Sequence, residues 1–304
     1  MGGLYVPGMK IIMNLFPPSK SGAAVGIYTG SMVAAQGTSY IAGPVAAAYG
    51  WQAGVLATSV WGLPAAMIAW ALLAPGPKNI ADGASRPSPV FGLPAILITL
   101  SYMGHTWELY AMRGWIGAFL FAAGRQTGYG VSEAVALASW ISIATVMIGA
   151  FSPWLGGWLS DRIGRTKAVI LILWMSMPCS LVYGWLIGLP IWALAGIALF
   201  YGFWIMADTA IFKVGLAELV PSSSIGMALG VQSFLGFASS SLATALFGLV
   251  LDMTNDPKAV SALGYFPFWG WAFTMLGVGA SVGPAAAYLL MRNPASIKMG
   301  GGKR

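Results

Sequence analysis

Apolar positions along this chain neither alternate nor thin out; they run on in long stretches separated by short polar knots. Such stretches cross a hydrocarbon layer of about 30 Å as helices of about 20 residues, and their continuity excludes a porin-like barrel. The pattern predicts spans over residues 22–48, 51–74, 91–120, 132–158, 168–187, 190–218, 226–251 and 266–291, preceded by a short apolar segment at 1–15. Backbone in lipid must satisfy its own hydrogen bonds, so all of these segments are expected to be helical. FPPSKSG (16–22) reads as a loop because two prolines and a serine cluster supply turn chemistry. PGPKNIADGASRPSP (75–89) reads as a linker and the basic stretch 293–304 as a disordered tail. The expected layout is a partial bundle at 1–74, a cytoplasmic linker at 75–89, a complete six-helix bundle at 90–292 and a cytoplasmic tail.

Composition agrees. The chain is 58% hydrophobic, with 15 basic and 8 acidic residues in 304, about a third of the charge a soluble protein carries. An all-α membrane protein of nine spans is the fold class this predicts. Cys179 stands alone, so neither an intrachain disulfide nor a sulfur-bound metal cluster is available. One histidine, few acids and the absence of H-E-x-x-H, G-x-S-x-G or P-loop strings argue against an enzyme, and no cofactor is expected.

Basic residues outside the spans fall on one side. Lys20, Lys78, Arg86, Arg162, Arg165, Lys167, Arg292, Lys298, Lys303 and Arg304 share one set of loops, against Arg125 and Lys258 on the other. The positive-inside rule puts the larger set, the linker and the C-terminus in the cytoplasm of an inner or plasma membrane, and the N-terminus outside. The net charge of +7 is thereby explained by topology and lipid contact, without nucleic acid.

PPSKSGAAVG (17–26) and PSSSIGMALG (221–230) match at a constant offset, Pro17 with Pro221, Ser19 with Ser223, Gly22 with Gly226, Ala24 with Ala228 and Gly26 with Gly230. A duplicated bundle gives such a repeat and is common in secondary transporters. If both halves share one plan, the counterpart of residue 89 lies about 115 residues before Met1, and the nine spans correspond to helices 4–12 of a twelve-helix design.

GWLSDRIGRTK (157–167) connects two spans of the second half. Gly164 suits a tight turn, Asp161 a helix end, and the arginines charge-assisted bonds that hold an inward face shut; a solvated basic loop is the alternative. The order of Gly157, Asp161, Arg162, Gly164, Arg165 and Lys167 resembles the signature loop of the major facilitator superfamily, with Thr166 as the departure. Gly30, Ser39, Gly43, Pro44, Ala47 and Ala48 partly match that superfamily's antiporter motif, with Gly30, Gly43 and Pro44 literal. A close-packing face kinked at Pro44 serves equally well. YMGHTWELYAMRGW (102–115) resembles the seventh span of the cyanate-permease-like branch.

Ionisable residues inside the spans, clear of their outermost positions, are Lys10, His105, Glu108, Arg113, Asp208 and Lys213. Charges at membrane depth are costly and mark pathways or partners. The resemblance implies that they lie on helices 4, 7 and 10, which line the family's central cavity. His105 and Glu108, three residues apart on one helical face, suit a proton relay, and Arg113 and Lys10 suit an anionic solute. The alternative is a buried ion pair of Glu108 or Asp208 with Arg113 or Lys213. Lys10 and Lys213, near span ends, are expected to snorkel as readily as to bind a ligand. Tyr5 and Asn14 are further candidates. The function expected is a secondary transporter of a small solute, coupled to protons and working by alternating access, with protons, solute and lipid as partners. An organic or inorganic anion is the expected solute, and a cation held by Glu108 and Asp208 is the alternative. A drug exporter of the same fold and a non-transporting membrane scaffold remain the alternatives.

Overall fold

The computed structural model describes residues 8–9, 11–13, 15–37, 45, 49–72 and 92–303. Within them the elements are α1 (Pro18–Gly37), α2 (Trp51–Ser59), α3 (Gly62–Leu72), α4 (Leu93–Gln126), α5 (Val131–Ile163), α6 (Arg165–Val182), α7 (Ile191–Ala207), α8 (Thr209–Leu219), α9 (Ile225–Thr254), α10 (Pro257–Leu263), α11 (Gly270–Ala280) and α12 (Val282–Arg292). A 3₁₀ turn at Tyr183–Leu186 extends α6, and a 3₁₀ segment at Pro294–Gly302 follows α12. Among the described residues, five runs are long and apolar enough to cross a membrane: Val131–Ile163, Arg165–Leu186, Ile191–Leu219, Ser222–Thr254 and Gly270–Arg292. The chain is an integral, multi-pass, all-α membrane protein.

α4 is the axis of the bundle. Its 34 residues would extend about 51 Å at 1.5 Å per residue, and Ser101, His105, Glu108, Met112, Ile116 and Phe119 bury one stripe at helical spacing. Aromatic packing fills the end of the bundle towards Gln126, where Phe119, Tyr183, Phe247, Trp269 and Phe273 interlock. The other end, called here the basic end, packs Ile98, Tyr102, Leu173, Phe212 and Met299. Trp140, Phe151, Trp192 and Phe234 point outwards; with hydrocarbon rather than water outside, the helices carry apolar side chains all round.

Several boundaries differ from the sequence expectation. The expected loop at 16–22 is helical from Pro18, because proline at the first helical position gives up no hydrogen bond. The expected connection at 157–167 shrinks to one residue, Gly164, with φ 101° and ψ 152°, a conformation open to glycine. The expected tail is folded against the basic end: Met299 is buried beside Arg165, Val169 and Leu290, while Asn293 Oδ1 accepts the Ala295 N–H at 3.0 Å. Residues 51–72 are not one helix but break at Val60 and Trp61.

Candidate functional site

The apolar run Ile191–Leu219 is interrupted at Asp208, between α7 and α8. The break presents the Asp208 carboxylate to α4, where Oδ1 lies 2.8 Å from His105 Nδ1, both side chains fully buried. Thr209 Oγ1 lies 3.2 Å from His105 Nε2, so both ring nitrogens face oxygen. Neither Asp208 oxygen has an aligned hydrogen-bond donor among the described residues. The contact with His105 is therefore a close approach of two polar groups rather than an aligned hydrogen bond.

Lys213 extends this cluster. The sequence reading allowed it to snorkel; the structure buries it instead, because α8 is enclosed by α1, α4 and α9. Its Nζ sits 3.9 Å from the Tyr102 ring centroid and donates to Ser233 Oγ at 2.9 Å. No carboxylate pairs with it among the described residues. Tyr102 also stacks on His105 at 6.0 Å, and Phe212 lies 5.3 Å from that imidazole. Asp208, His105, Tyr102 and Lys213 thus form one continuous cluster with an acid at one end and an amine at the other.

Glu108, one turn along α4 from His105, is held by a different pair of helices. Ser176 Oγ donates to Oε2 at 3.1 Å, Ser180 Oγ donates to Oε1, and Tyr201 OH donates to Ser180 Oγ at 3.0 Å. Asp208 is paired with His105 rather than with Lys213. Arg113 is half-buried further along α4, in electrostatic reach of Tyr110. Tyr5, Lys10 and Asn14 lie outside the described residues, as do Gly43 and Pro44. Sequence reading missed the hydroxyl partners Ser176, Ser180, Tyr201, Thr209 and Ser233; the four-residue spacing of Ser176 and Ser180, which puts both on one face of α6, was the available signal.

At the basic end, Asp161 in the last turn of α5 accepts the Gly22 N–H at 3.2 Å and the Ala23 N–H at 2.9 Å, joining α5 to α1. Arg165, fully buried, donates through Nη1 to Asp161 and to Ser160 Oγ at 2.8 Å, and through Nη2 to Ser21 Oγ at 3.1 Å. It also grips Glu218 with two nitrogens, Nη2 at 3.0 Å and Nε at 3.3 Å. Two-pronged guanidinium–carboxylate bonding is geometrically demanding and strong. The folded tail joins in: the Gly300 N–H donates to Glu218 Oε2 at 2.9 Å and Lys303 Nζ to the Asp161 carbonyl at 2.7 Å. A Cβ on Gly157 would collide with the Gly22 carbonyl, and one on Gly30 with the Ala150 carbonyl, so bare backbone sets the α1–α5 spacing.

Of the residues expected in this latch, Gly157, Asp161, Gly164 and Arg165 converge. Arg162 is exposed with its guanidinium 4.0 Å from the Trp158 ring centroid, and Lys167 is exposed on α6. Ser21, Glu218 and the tail were not foreseen. The network ties α1, α5, α6, α8 and the tail together.

The fold is thus a multi-pass helical bundle with buried ionisable groups at a helix break and a network of charged side chains at one end. The chain belongs to the major facilitator superfamily, whose sequence profile matches residues 1–244. It is similar to the "Phosphoglycerate transporter protein" of Salmonella typhimurium strain LT2, with 26% identity over 149 residues, 47% of this chain and 30% of the relative. The match thus spans less than a third of that relative's length.

Proposed function

We propose that the chain carries the transport path of a proton-coupled secondary transporter for a small anion, working by alternating access. The observation that carries this reading is the Asp208–His105 pair, buried at a break in its own helix and followed five residues on by the buried cation of Lys213. Discontinuous helices bearing charge near the middle of the membrane are a recurring way to build solute and ion sites. The similarity to a protein named for phosphoglycerate, a small anion, points the same way.

Protonation of Asp208 removes the negative half of the pair and with it the attraction between α4 and the α7–α8 junction. The junction is then free to swing. Lys213, released from the Tyr102 ring and Ser233, offers a positive site to the anion, and proton and anion cross together. Exposure of the site towards the basic end requires the bonds from Gly22 and Ala23 to Asp161 to break, so the latch counts as the inward gate.

An apolar crevice of about 420 Å³ between α4, α9 and the α11–α12 region supports a second reading, export of lipophilic solutes. Leu100, Met103, Trp107, Leu242 and Val282 line it, and the buried Trp107 Nε1 has no hydrogen-bond partner among the described residues. Uptake by the chain reconstituted in proteoliposomes with an imposed pH gradient separates the two, with 3-phosphoglycerate and the lipophilic cation tetraphenylphosphonium as probes. The anion is expected to accumulate with the gradient, Asp208→Asn to abolish that accumulation, and Lys213→Gln to raise KM for the anion at least tenfold. Movement of the cation alone would overturn the anion reading, and unchanged gradient-driven uptake in Asp208→Asn would overturn proton coupling at this site.

A further inference from the structure

A groove on the outer surface between α6 and α12, away from both the mid-bundle cluster and the crevice, has a volume of about 890 Å³. Its walls are apolar, with Trp174 and Met177 of α6 opposite Pro284 and Ala285 of α12. Its mouth is basic and aromatic. Lys167 and Tyr288 line that end, and the Arg292 guanidinium lies 4.5 Å from the Tyr288 ring centroid. Lys167 and Arg292 are both exposed, and neither forms an ion pair among the described residues.

Depth identifies the occupant. From Lys167 to Met177 the groove follows ten residues of α6, about 15 Å of helical rise, half of a hydrocarbon core of about 30 Å and so the thickness of one leaflet. A ligand with one negative group at the membrane surface and an apolar body one leaflet deep matches this in both charge and length. We infer that the α6–α12 groove is a binding site for an anionic glycerophospholipid of the leaflet at the basic end, its phosphate between Lys167 and Arg292 and an acyl chain along Trp174 and Met177. Lys167 lies two residues from Arg165 of the latch, and α12 leads directly into the tail that bonds to Glu218. A lipid held there braces the two elements that close the basic end.

The test uses the chain in nanodiscs of equal parts phosphatidylglycerol and phosphatidylcholine, with retained lipids read by native mass spectrometry. Phosphatidylglycerol is expected to be retained selectively, about fivefold less by Lys167→Gln or Arg292→Gln, and at least tenfold less by the double variant, following roughly 1 kcal/mol per basic residue at a membrane surface. A photoreactive benzoylphenylalanine at Ala285 in the otherwise unaltered chain gives a readout independent of those variants, and should capture phosphatidylglycerol in preference to phosphatidylcholine. Equal capture of the two lipids, a double variant that retains phosphatidylglycerol, displacement by millimolar inorganic phosphate, or cross-linking to a second copy of the chain would each overturn the assignment.

Discussion

Arg165 and His105 are both buried basic side chains facing a carboxylate, yet their surroundings differ in kind. Around Arg165, Ser21, Ser160, Asp161 and Glu218 accept its hydrogen bonds, while Asp161 also receives two backbone amides. Around His105, Asp208 lies close but no donor is aligned with either oxygen, and the nearby Gln232, whose amide nitrogen reaches the Phe212 carbonyl at 3.5 Å, leaves its buried oxygen without a partner. Fully satisfied buried networks fix one geometry, whereas partly satisfied ones sit close in energy to alternatives. The basic end is a densely bonded network, and the middle of the bundle pairs its charges with fewer bonds.

Arg165→Ala should have the largest effect, because it leaves Glu218 and Asp161 short of their cation at a buried site. Breaking a buried pair from one side costs about 3–5 kcal/mol, so the variant is expected to lose monodispersity on mild heating in detergent. Arg165→Lys should recover only part of that loss, since an ammonium cannot bridge Asp161, Ser21 and both Glu218 oxygens in a planar fork. Full recovery by lysine would show that charge alone, without the fork, holds the latch.

Gly157→Val comes next. Its branched side chain would meet the Gly22 carbonyl, and forcing the two helices apart costs about 1–3 kcal/mol as overpacking. Because that shift also draws the Gly22 and Ala23 amides away from Asp161, labelling of a cysteine placed at Ser21 should speed up as well as stability fall. A stability loss with unchanged labelling would separate helix packing from gate closure.

Much of this contrast was legible in the chain and some was not. The five spans among the described residues followed from uninterrupted apolar runs, and the order of Gly157, Asp161, Gly164 and Arg165 pointed to a tight turn and charge-assisted bonding, because both need those residue types. The break at Asp208 was not legible: IMADTAIF contains neither proline nor glycine. Its cause is tertiary, since His105 engages the side chains of both Asp208 and Thr209, residue types that compete readily with helical backbone. The tail was misread because MGGGKR looks like a linker, whereas Gly300 and Gly301, with φ of 59° and 68°, turn the chain back so that Met299 fills a hole and Gly300 reaches Glu218. Position along a single helix leaves Lys213 as free to snorkel as to bind a ligand, and only the enclosure by α1, α4 and α9 decides for burial.

Glu108→Gln sharpens the comparison within the bundle. An amide keeps an acceptor for Ser176 or Ser180 but turns an NH₂ towards the other hydroxyl, and lost hydrogen bonds to a charged group are worth about 1.5–3 kcal/mol. Partial compensation by the rotating hydroxyls should keep the measured loss near the lower end, about 1.5 kcal/mol. Thermal stability is therefore expected to fall modestly while gradient-driven uptake persists. Abolished uptake with unchanged stability would move the coupling role from Asp208 to Glu108.

Asp208→Asn should cost the fold least and reveal most. The carboxylate receives no aligned hydrogen bond that an amide would forfeit, and a buried ion pair often contributes little net stability once its desolvation is counted. Its partner is an imidazole, which, unlike the guanidinium of Arg165, can shed its charge and so need not be left buried and uncompensated. Thermal stability within about 1 kcal/mol of the parent is therefore expected, together with loss of proton-driven uptake. A drop as large as that of Arg165→Ala would make the His105–Asp208 pair a second structural clamp and dissolve the contrast between the two regions.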